Sequence, residues 1–336
     1  MTDRTRANHD FFAAESERLA ALCDEMAQRF LRGGRLLAVG EESDARHIAV
    51  EFVHPVIVGK RALPAMAMPT LDALQLECEP DDIVVIFSEL GVRVDGESFI
   101  PPTDDPFIRQ ELIETLYHML WELVHVFLEH RDRSRVGAGA ASFLYPFLEG
   151  GGAEDLDAVR ADVRRSIEAK AAEIGALREQ TLRENADVLV AAAGVLRSGR
   201  LLAVGNGGSA TDAMDVVADF RARGRRALDL TDDPAILTAI ANDIGVEAIF
   251  ARQVIAYGRP DDTLLTLSTS GSSANVLAAL AEARRRGLAT IAMVGYDGGR
   301  IASERLADFV VVVRSEHIPR IQEAQASAYH RLVELA

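Results

Sequence analysis

The chain has 336 residues, of which 49% are hydrophobic and 26% charged, and its length predicts two globular domains. A formal net charge of −16 argues against a general nucleic-acid or anionic-membrane binder, because phosphate groups would be repelled. The only cysteines, Cys23 and Cys78, imply no disulfide framework. The N-terminus does not resemble a signal peptide and no apolar run reaches transmembrane length, so we expect a cytoplasmic protein.

The first predicted elements are an amphipathic helix over Phe11–Leu31 and a strand at Leu36–Val39. A second apolar run follows at Ile83–Ile86, and a second helical stretch at Ile167–Leu196 leads into the run at Leu201–Val204. These runs are continuously apolar, which is typical of strands covered on both faces of a parallel sheet. Strands that alternate with helices predict a doubly wound α/β fold.

The chain repeats itself. RLLAVG at residues 35–40 recurs at 200–205, and further matches follow in the same order. They are DARHIAVEF with DAMDVVADF, GKRAL with GRRAL, and EPDDIVVIFS with RPDDTLLTLS. Four ordered matches predict a duplication.

The two copies are predicted to be unequal. We place a trimmed first domain at residues 1–135, a glycine-rich linker at 136–152 and a complete second domain at 153–336. Compared with the second copy, the first copy lacks about 15 residues between its second strand and the PDD turn, and about one helix–strand unit after that turn.

Two loops of the second copy suit a phosphate group. Residues 205–212 form a glycine loop between a strand and a helix, which lets backbone N–H groups surround an anion. Residues 268–273 carry five hydroxyls and again open a helix. A tight turn and an N-cap are the plainer interpretations. Two such loops at the carboxyl ends of parallel strands favour the ligand, because open α/β sheets bind ligands at that edge.

Four motifs identify a resemblance: GNGGSATDA (205–213), AIANDIGVE (239–247), LSTSGSSANVL (267–277) and HIPRIQEAQ (317–325). Together they resemble the phosphoheptose isomerases, the sedoheptulose-7-phosphate isomerases of the SIS superfamily. The resemblance is close over residues 165–336 and distant over 8–130, and it implies two tandem SIS-type domains. It implies that substrate is held by Asn206, Gly207, Gly208, Ser209, Asp243, Ser268, Thr269, Ser270, Ser273 and Gln322.

The second copy departs from the family's metal set. That set is a His and a Glu four residues apart after the glycine loop, with a Gln and a His eight apart near the C-terminus. The first pair has become Asp215 and Asp219, whereas Gln322 and His330 remain. The resemblance therefore leaves metal binding by this copy in question.

The first copy keeps the whole set at the aligned positions. His47 and Glu51 are four residues apart, and Gln110 and His118 are eight apart. The resemblance implies that these four bind zinc or another divalent first-row metal. Ordinary interpretations stay open: a solvated ion pair for His47 and Glu51, and a packed core histidine for His118.

We expect an aldose–ketose isomerase of a sugar phosphate, with sedoheptulose 7-phosphate as substrate and a site shared between the two copies. The candidate proton carriers are Glu51, His118, Asp219 and His330. The alternative is a non-catalytic sugar-phosphate-binding regulator or adaptor, which Asp215 and Asp219 favour. The expected partner is a small sugar phosphate, with no nucleic acid or membrane, and the resemblance implies a homodimer or higher homo-oligomer.

Overall fold

The computed structural model describes residues 2–55, 60–88, 94–131 and 156–336. The chain divides into two compact units, Met1–Gly175 and Ala176–Ala336. Each unit contains one parallel sheet flanked by helices. The predicted linker at 136–152 lies outside the described residues.

The first unit follows the predicted alternation of helices and strands. Its elements are α1 (Asp3–Leu31), β1 (Leu36–Val39), α2 (Glu42–Val53), β2 (Ala65–Ala67), α3 (Leu71–Glu77), β3 (Ile83–Ile86), β4 (Glu97–Ser98) and α4 (Pro106–Arg131). Helix α5 (Leu156–Glu184) begins in this unit and ends in the second. The sheet order is β2-β1-β3-β4, and every neighbouring pair is parallel.

Strand β1 shows why this sequence forms a two-sided sheet. Leu36 and Ala38 belong to the large core to which α1, α2 and α4 contribute. Leu37 and Val39 belong to a second core, together with Leu74 of α3. Successive strand residues point to opposite faces, so a strand covered on both faces must be apolar throughout. This confirms the predicted α/β fold.

The second unit has more described helices and strands than the first. After α5 its elements are α6 (Ala186–Val195), β5 (Leu201–Val204), α7 (Gly208–Ala222), β6 (Ala227–Asp229), α8 (Pro234–Asp243), a 3₁₀ turn (Val246–Ala248), α9 (Ile249–Tyr257), β7 (Thr263–Ser268), α10 (Ala274–Arg285), β8 (Ala289–Gly295), α11 (Gly299–Ser303), β9 (Phe309–Val313) and α12 (Ile318–Leu335). The sheet order is β6-β5-β7-β8-β9, all parallel. The described sheet of the first unit is one strand shorter, as the trimmed copy predicts.

One ion pair occurs at the same place in both units. In the first, Arg35 donates through Nη2 to Asp82 Oδ2 at 2.7 Å, and its backbone N–H donates to Oδ1 at 2.8 Å. In the second, Arg200 and Asp262 make the same two contacts at 2.7 and 2.9 Å. In the first unit the pair joins the residues that precede β1 and β3, and in the second unit it joins the residues that precede β5 and β7. The aspartates of the repeated PDD motif thus fix the register of the two inner strands.

The predicted helix at residues 167–196 is two helices. α5 ends at Glu184 and α6 begins at Ala186. Between them the Asn185 amide donates to the Val312 carbonyl at 3.1 Å and accepts from the Val312 N–H at 3.1 Å. The side chain satisfies the backbone of edge strand β9, and this tertiary contact interrupts a helical pattern that periodicity alone would continue. Among the described residues, no helix combines the length and apolar character needed to cross a bilayer.

Candidate functional site

The glycine loop of the second unit joins β5 to the N-terminus of α7. A Cβ on Gly205 would lie 2.0 Å from the Ser209 carbonyl oxygen, and Gly207 has φ 59° and ψ −127°. Only glycine fits these two positions without strain. The loop therefore turns tightly enough to bring Ser209, which is buried, into the first turn of the helix. The positive end of the helix dipole favours an anion here.

The hydroxyl loop joins β7 to α10. Ser268 ends the strand, and its Oγ accepts a hydrogen bond from the Gly271 N–H at 3.1 Å. Ser273 is the N-cap residue of α10, yet its side chain makes no capping hydrogen bond. Ser270 is exposed and Thr269 is half-buried. The plainer interpretation of Ser273 as a helix cap therefore lacks its hydrogen bond, and its hydroxyl is available to a ligand.

Two asparagines join these loops. Asn206 of the glycine loop donates to Asn275 Oδ1 at 3.0 Å, and Asn275 donates back to Asn206 Oδ1 at 2.8 Å. Asn275 Oδ1 also accepts from the Val276 N–H at 2.9 Å. Because β5 and β7 are adjacent and parallel, both loops leave the same edge of the sheet. Asn275 was not predicted as a site residue, because its role depends on this tertiary pairing.

The remaining predicted residues of the second unit lie on three helices. Asp243 is the exposed last residue of α8. Gln322 and His330 are buried on α12, which packs against α7. His330 Nε2 lies 3.6 Å from Asp219 Oδ2 on α7. Burial raises the pKa of Asp219, against smaller lowering contributions from His330 and an arginine.

Asp215 lies one turn before Asp219 on α7. The Tyr329 hydroxyl donates to Asp215 Oδ2 at 3.5 Å. Within the described second unit, residues 176–336, no three His, Cys, Asp or Glu side chains place ligand atoms within 4.8 Å of one another. The two loops predicted to bind phosphate are therefore not accompanied by a three-residue cluster of this kind within residues 176–336.

The first unit brings three of its predicted residues together. His47 and Glu51 lie on α2, which packs against α4, the helix that carries His118. Their ligand atoms all lie within 4.8 Å of one another. His47 Nε2 is 3.9 Å from Glu51 Oε1, and the rings of His47 and His118 are 5.2 Å apart and nearly perpendicular. All three side chains are buried, so His47 and Glu51 do not form the solvated surface ion pair that the sequence left open.

Burial sets the charge of this cluster. It raises the pKa of Glu51 from 4.5 to about 8. Burial also holds the pKa of His47 well below 6.5, with a further lowering by His118. In the absence of a cation, the favoured forms near neutral pH are therefore a neutral His47 imidazole and a protonated Glu51 carboxyl. A buried carboxyl that titrates near the working pH suits proton transfer.

The cluster fits a divalent metal. Two imidazoles and a carboxylate are a common zinc donor set, and ligand atoms on one tetrahedral zinc lie roughly 3.4 Å apart for bonds of about 2.1 Å. Glu51 Oε2 is buried and makes no hydrogen bond to any described residue. A cation would give it a partner. Gln110 lies eight residues before His118 on α4, about 12 Å along the helix axis.

The first unit lacks the phosphate loops in its described residues. Its first loop carries exposed Glu41 and Glu42 before the buried Ser43. Carboxylates at this place oppose a phosphate. The second loop follows β3 at Ser88, and residues 89–93 lie outside the described residues.

A family model and two curated relatives each match part of this chain. A family model described as SIS domain matches residues 164–295. The phosphoheptose isomerase of Roseiflexus sp. (strain RS-1) is 40% identical over 189 residues, covering 54% of this chain and 90% of that protein. The phosphoheptose isomerase of Chlorobaculum tepidum is 44% identical over 173 residues, covering 47% and 82%.

One solved structure matches over the whole chain. The C-terminal domain of glucosamine-fructose-6-phosphate aminotransferase from Francisella tularensis covers 100% of this chain and 95% of its own, with a TM-score of 0.60 and 8% identity. At this identity the likeness bears on the fold alone. It agrees with two α/β units, each with its own parallel sheet, in one chain.

Proposed function

Because this chain belongs to the phosphoheptose isomerase family and is an isomerase of sugar phosphates, we propose that it converts sedoheptulose 7-phosphate to the aldose heptose 7-phosphate. The observation that carries the proposal is the pair of loops at one sheet edge of the second unit. They combine two helix N-termini, glycine backbone and serine hydroxyls, and the reciprocal asparagine pair fixes their spacing.

The phosphate binds in these loops. Its oxygens accept hydrogen bonds from the hydroxyls of Ser209, Ser268, Thr269, Ser270 and Ser273, and from backbone N–H groups around Gly207 and Gly208. No arginine or lysine is needed, because two helix dipoles and several neutral donors stabilise the charge. Asp243 and Gln322 contact the sugar hydroxyls.

The first unit carries out the proton transfer. Glu51 removes a proton from C1 of the ketose, which leaves an enediol, and the proton returns to C2. His118 moves the proton between the two oxygens as general acid and base. Asp219 and His330 of the second unit are the alternative carboxylate–histidine pair for this proton transfer. Substituting each pair in turn shows which of the two carries it out.

A divalent metal belongs to the same cluster. His47, Glu51 and His118 would hold zinc or another first-row ion, which when bound would polarise the substrate carbonyl. Gln110 would complete the set if its side chain and that of His118 lean toward each other along α4. The two units thus make complementary contributions to one reaction. We further propose that the chain works as a homodimer or higher homo-oligomer, as the sequence analysis expects.

The test is incubation of the chain with sedoheptulose 7-phosphate in deuterated water, followed by NMR. The proposal predicts an aldose product that carries deuterium at C2, because an enediol route exchanges the transferred proton. Unphosphorylated sedoheptulose is the matched control, and it should turn over far more slowly. Binding without aldose product would contradict the proposal and indicate a sugar-phosphate sensor.

A further inference from the structure

A tyrosine adjoins the histidine of the buried cluster in the first unit. The Tyr117 hydroxyl lies 2.7 Å from His47 Nδ1, and both residues are fully buried. The opposite ring nitrogen, Nε2, is the one that lies 3.9 Å from Glu51 Oε1. The two nitrogens of His47 therefore have distinct partners, one a phenol and the other the carboxyl of the cluster.

This arrangement determines what His47 can offer to a cation. A neutral imidazole carries its proton on one nitrogen and a lone pair on the other. The hydrogen-bond partners of the two nitrogens determine which of them is protonated. If Nδ1–H donates to the Tyr117 oxygen, the lone pair of Nε2 is directed at Glu51. A phenol accepts this bond without adding a negative charge to a buried site.

We propose that Tyr117 is a positioning residue that fixes the Nδ1-protonated tautomer and the ring orientation of His47, so that Nε2 is ready to bind a divalent cation. The inference rests on the metal site proposed above. It concerns a residue next to His118 rather than a ligand. Tyr117 acts through His47 and does not itself touch the cation.

The packing of Tyr117 allows a clean test. Its ring lies 5.0 Å from the His118 ring and 6.4 Å from the Phe87 ring, both edge to face. Tyr117→Phe keeps these ring contacts and removes only the hydroxyl. Because phenylalanine keeps the aromatic ring, this substitution should disturb the packing less than a smaller side chain would.

The second unit supplies a matched control. Tyr329 precedes His330 as Tyr117 precedes His118, and its hydroxyl contacts Asp215, the residue aligned with His47. In that unit the partner is a carboxylate at 3.5 Å and no metal cluster is formed by the described residues 176–336. Tyr329→Phe therefore removes an equivalent hydroxyl from a place where we expect no effect on metal affinity.

The experiment titrates the metal-free full chain with Zn²⁺ in competition with a chromophoric chelator. We expect His47→Ala to lose tight binding and Tyr117→Phe to weaken it about 10- to 100-fold, as loss of an orienting partner does. Tyr329→Phe should match the unsubstituted chain. If His47→Ala weakens binding while Tyr117→Phe does not, the tyrosine inference is overturned and the metal site stands. If the unsubstituted chain binds no zinc, both are overturned.

A second measurement does not depend on how the Tyr117 variant folds. Two-bond ¹⁵N–¹H correlation spectra of the zinc-loaded chain report the tautomer of each of its eight histidines. His47 is assigned by comparison with His47→Gln. We expect His47 to be protonated on Nδ1 in the loaded chain. Protonation on Nε2 would overturn the inference directly.

Discussion

Glu51→Gln should stabilise the metal-free first unit at alkaline pH. The native state holds the Glu51 proton more tightly than the unfolded state, because burial raises the pKa from 4.5 to about 8. The free energy of unfolding therefore falls as pH rises from 4.5 to 8, and this loss is complete above 8. At about 1.4 kcal/mol for each pH unit, the largest effect of this shift is about 5 kcal/mol. Glutamine has nearly the same shape and does not titrate.

The assay is urea unfolding in the presence of a chelator, followed by tryptophan fluorescence. Trp121 is the only tryptophan of the chain and is buried in the first unit, so its signal reports on that unit. Glu51→Gln should match the unsubstituted chain at pH 5 and exceed its stability by several kcal/mol at pH 9. Glu17→Gln, an exposed change on α1, is the control and should show no such pH-dependent difference. An equal stability difference at both pH values would refute the argument.

The remaining predictions concern the second unit and assembly. Ser273→Ala should weaken sugar-phosphate binding about 10- to 150-fold in calorimetry, because it removes a hydrogen bond to a charged group worth about 1.5–3 kcal/mol; exposed Ser198→Ala is its control, and equal affinities would contradict the assignment. Asn275→Ala should also weaken phosphate binding, since it removes the amide pair between the loops; unchanged affinity would count against that clamp. Light scattering at micromolar concentration should give at least a dimer, as the resemblance to the phosphoheptose isomerases implies; a monomeric mass would contradict this.

Much of the fold could be predicted from the sequence, because a strand that is buried on both faces of a sheet is apolar at every position. Leu36–Val39 and Ile83–Ile86 are continuous apolar runs, and the strands have these bounds. The helix break at Asn185 could not be found in this way, because it depends on a contact with β9, distant in sequence. The phosphoheptose isomerase resemblance is confirmed by the relatives.

The candidate site was less accessible to sequence reasoning. The resemblance grouped His47, Glu51, Gln110 and His118 as one metal set, but only the packing of α2 on α4 brings His47, Glu51 and His118 together. Tyr117 was missed, although the chain carried a signal: a tyrosine precedes the histidine in both copies, at 117 and 329. A repeated neighbour of a candidate ligand is worth examining for a hydrogen bond to another ligand. The roles of these residues stay predictions.

The most direct test of the account is steady-state kinetics of His47→Ala and Glu51→Gln in the full chain with sedoheptulose 7-phosphate, beside Asp219→Asn. If the first unit performs the chemistry, Glu51→Gln should lose turnover by about 10²–10⁴-fold, the contribution of a positioned acid–base group. His47→Ala should also lose most of its turnover, because it removes a ligand of the proposed metal, and phosphate affinity should stay nearly unchanged in both variants. Asp219→Asn should then retain most of the turnover. Full turnover by His47→Ala and Glu51→Gln, with loss only in Asp219→Asn, would contradict the account and leave the first unit a structural part of the enzyme.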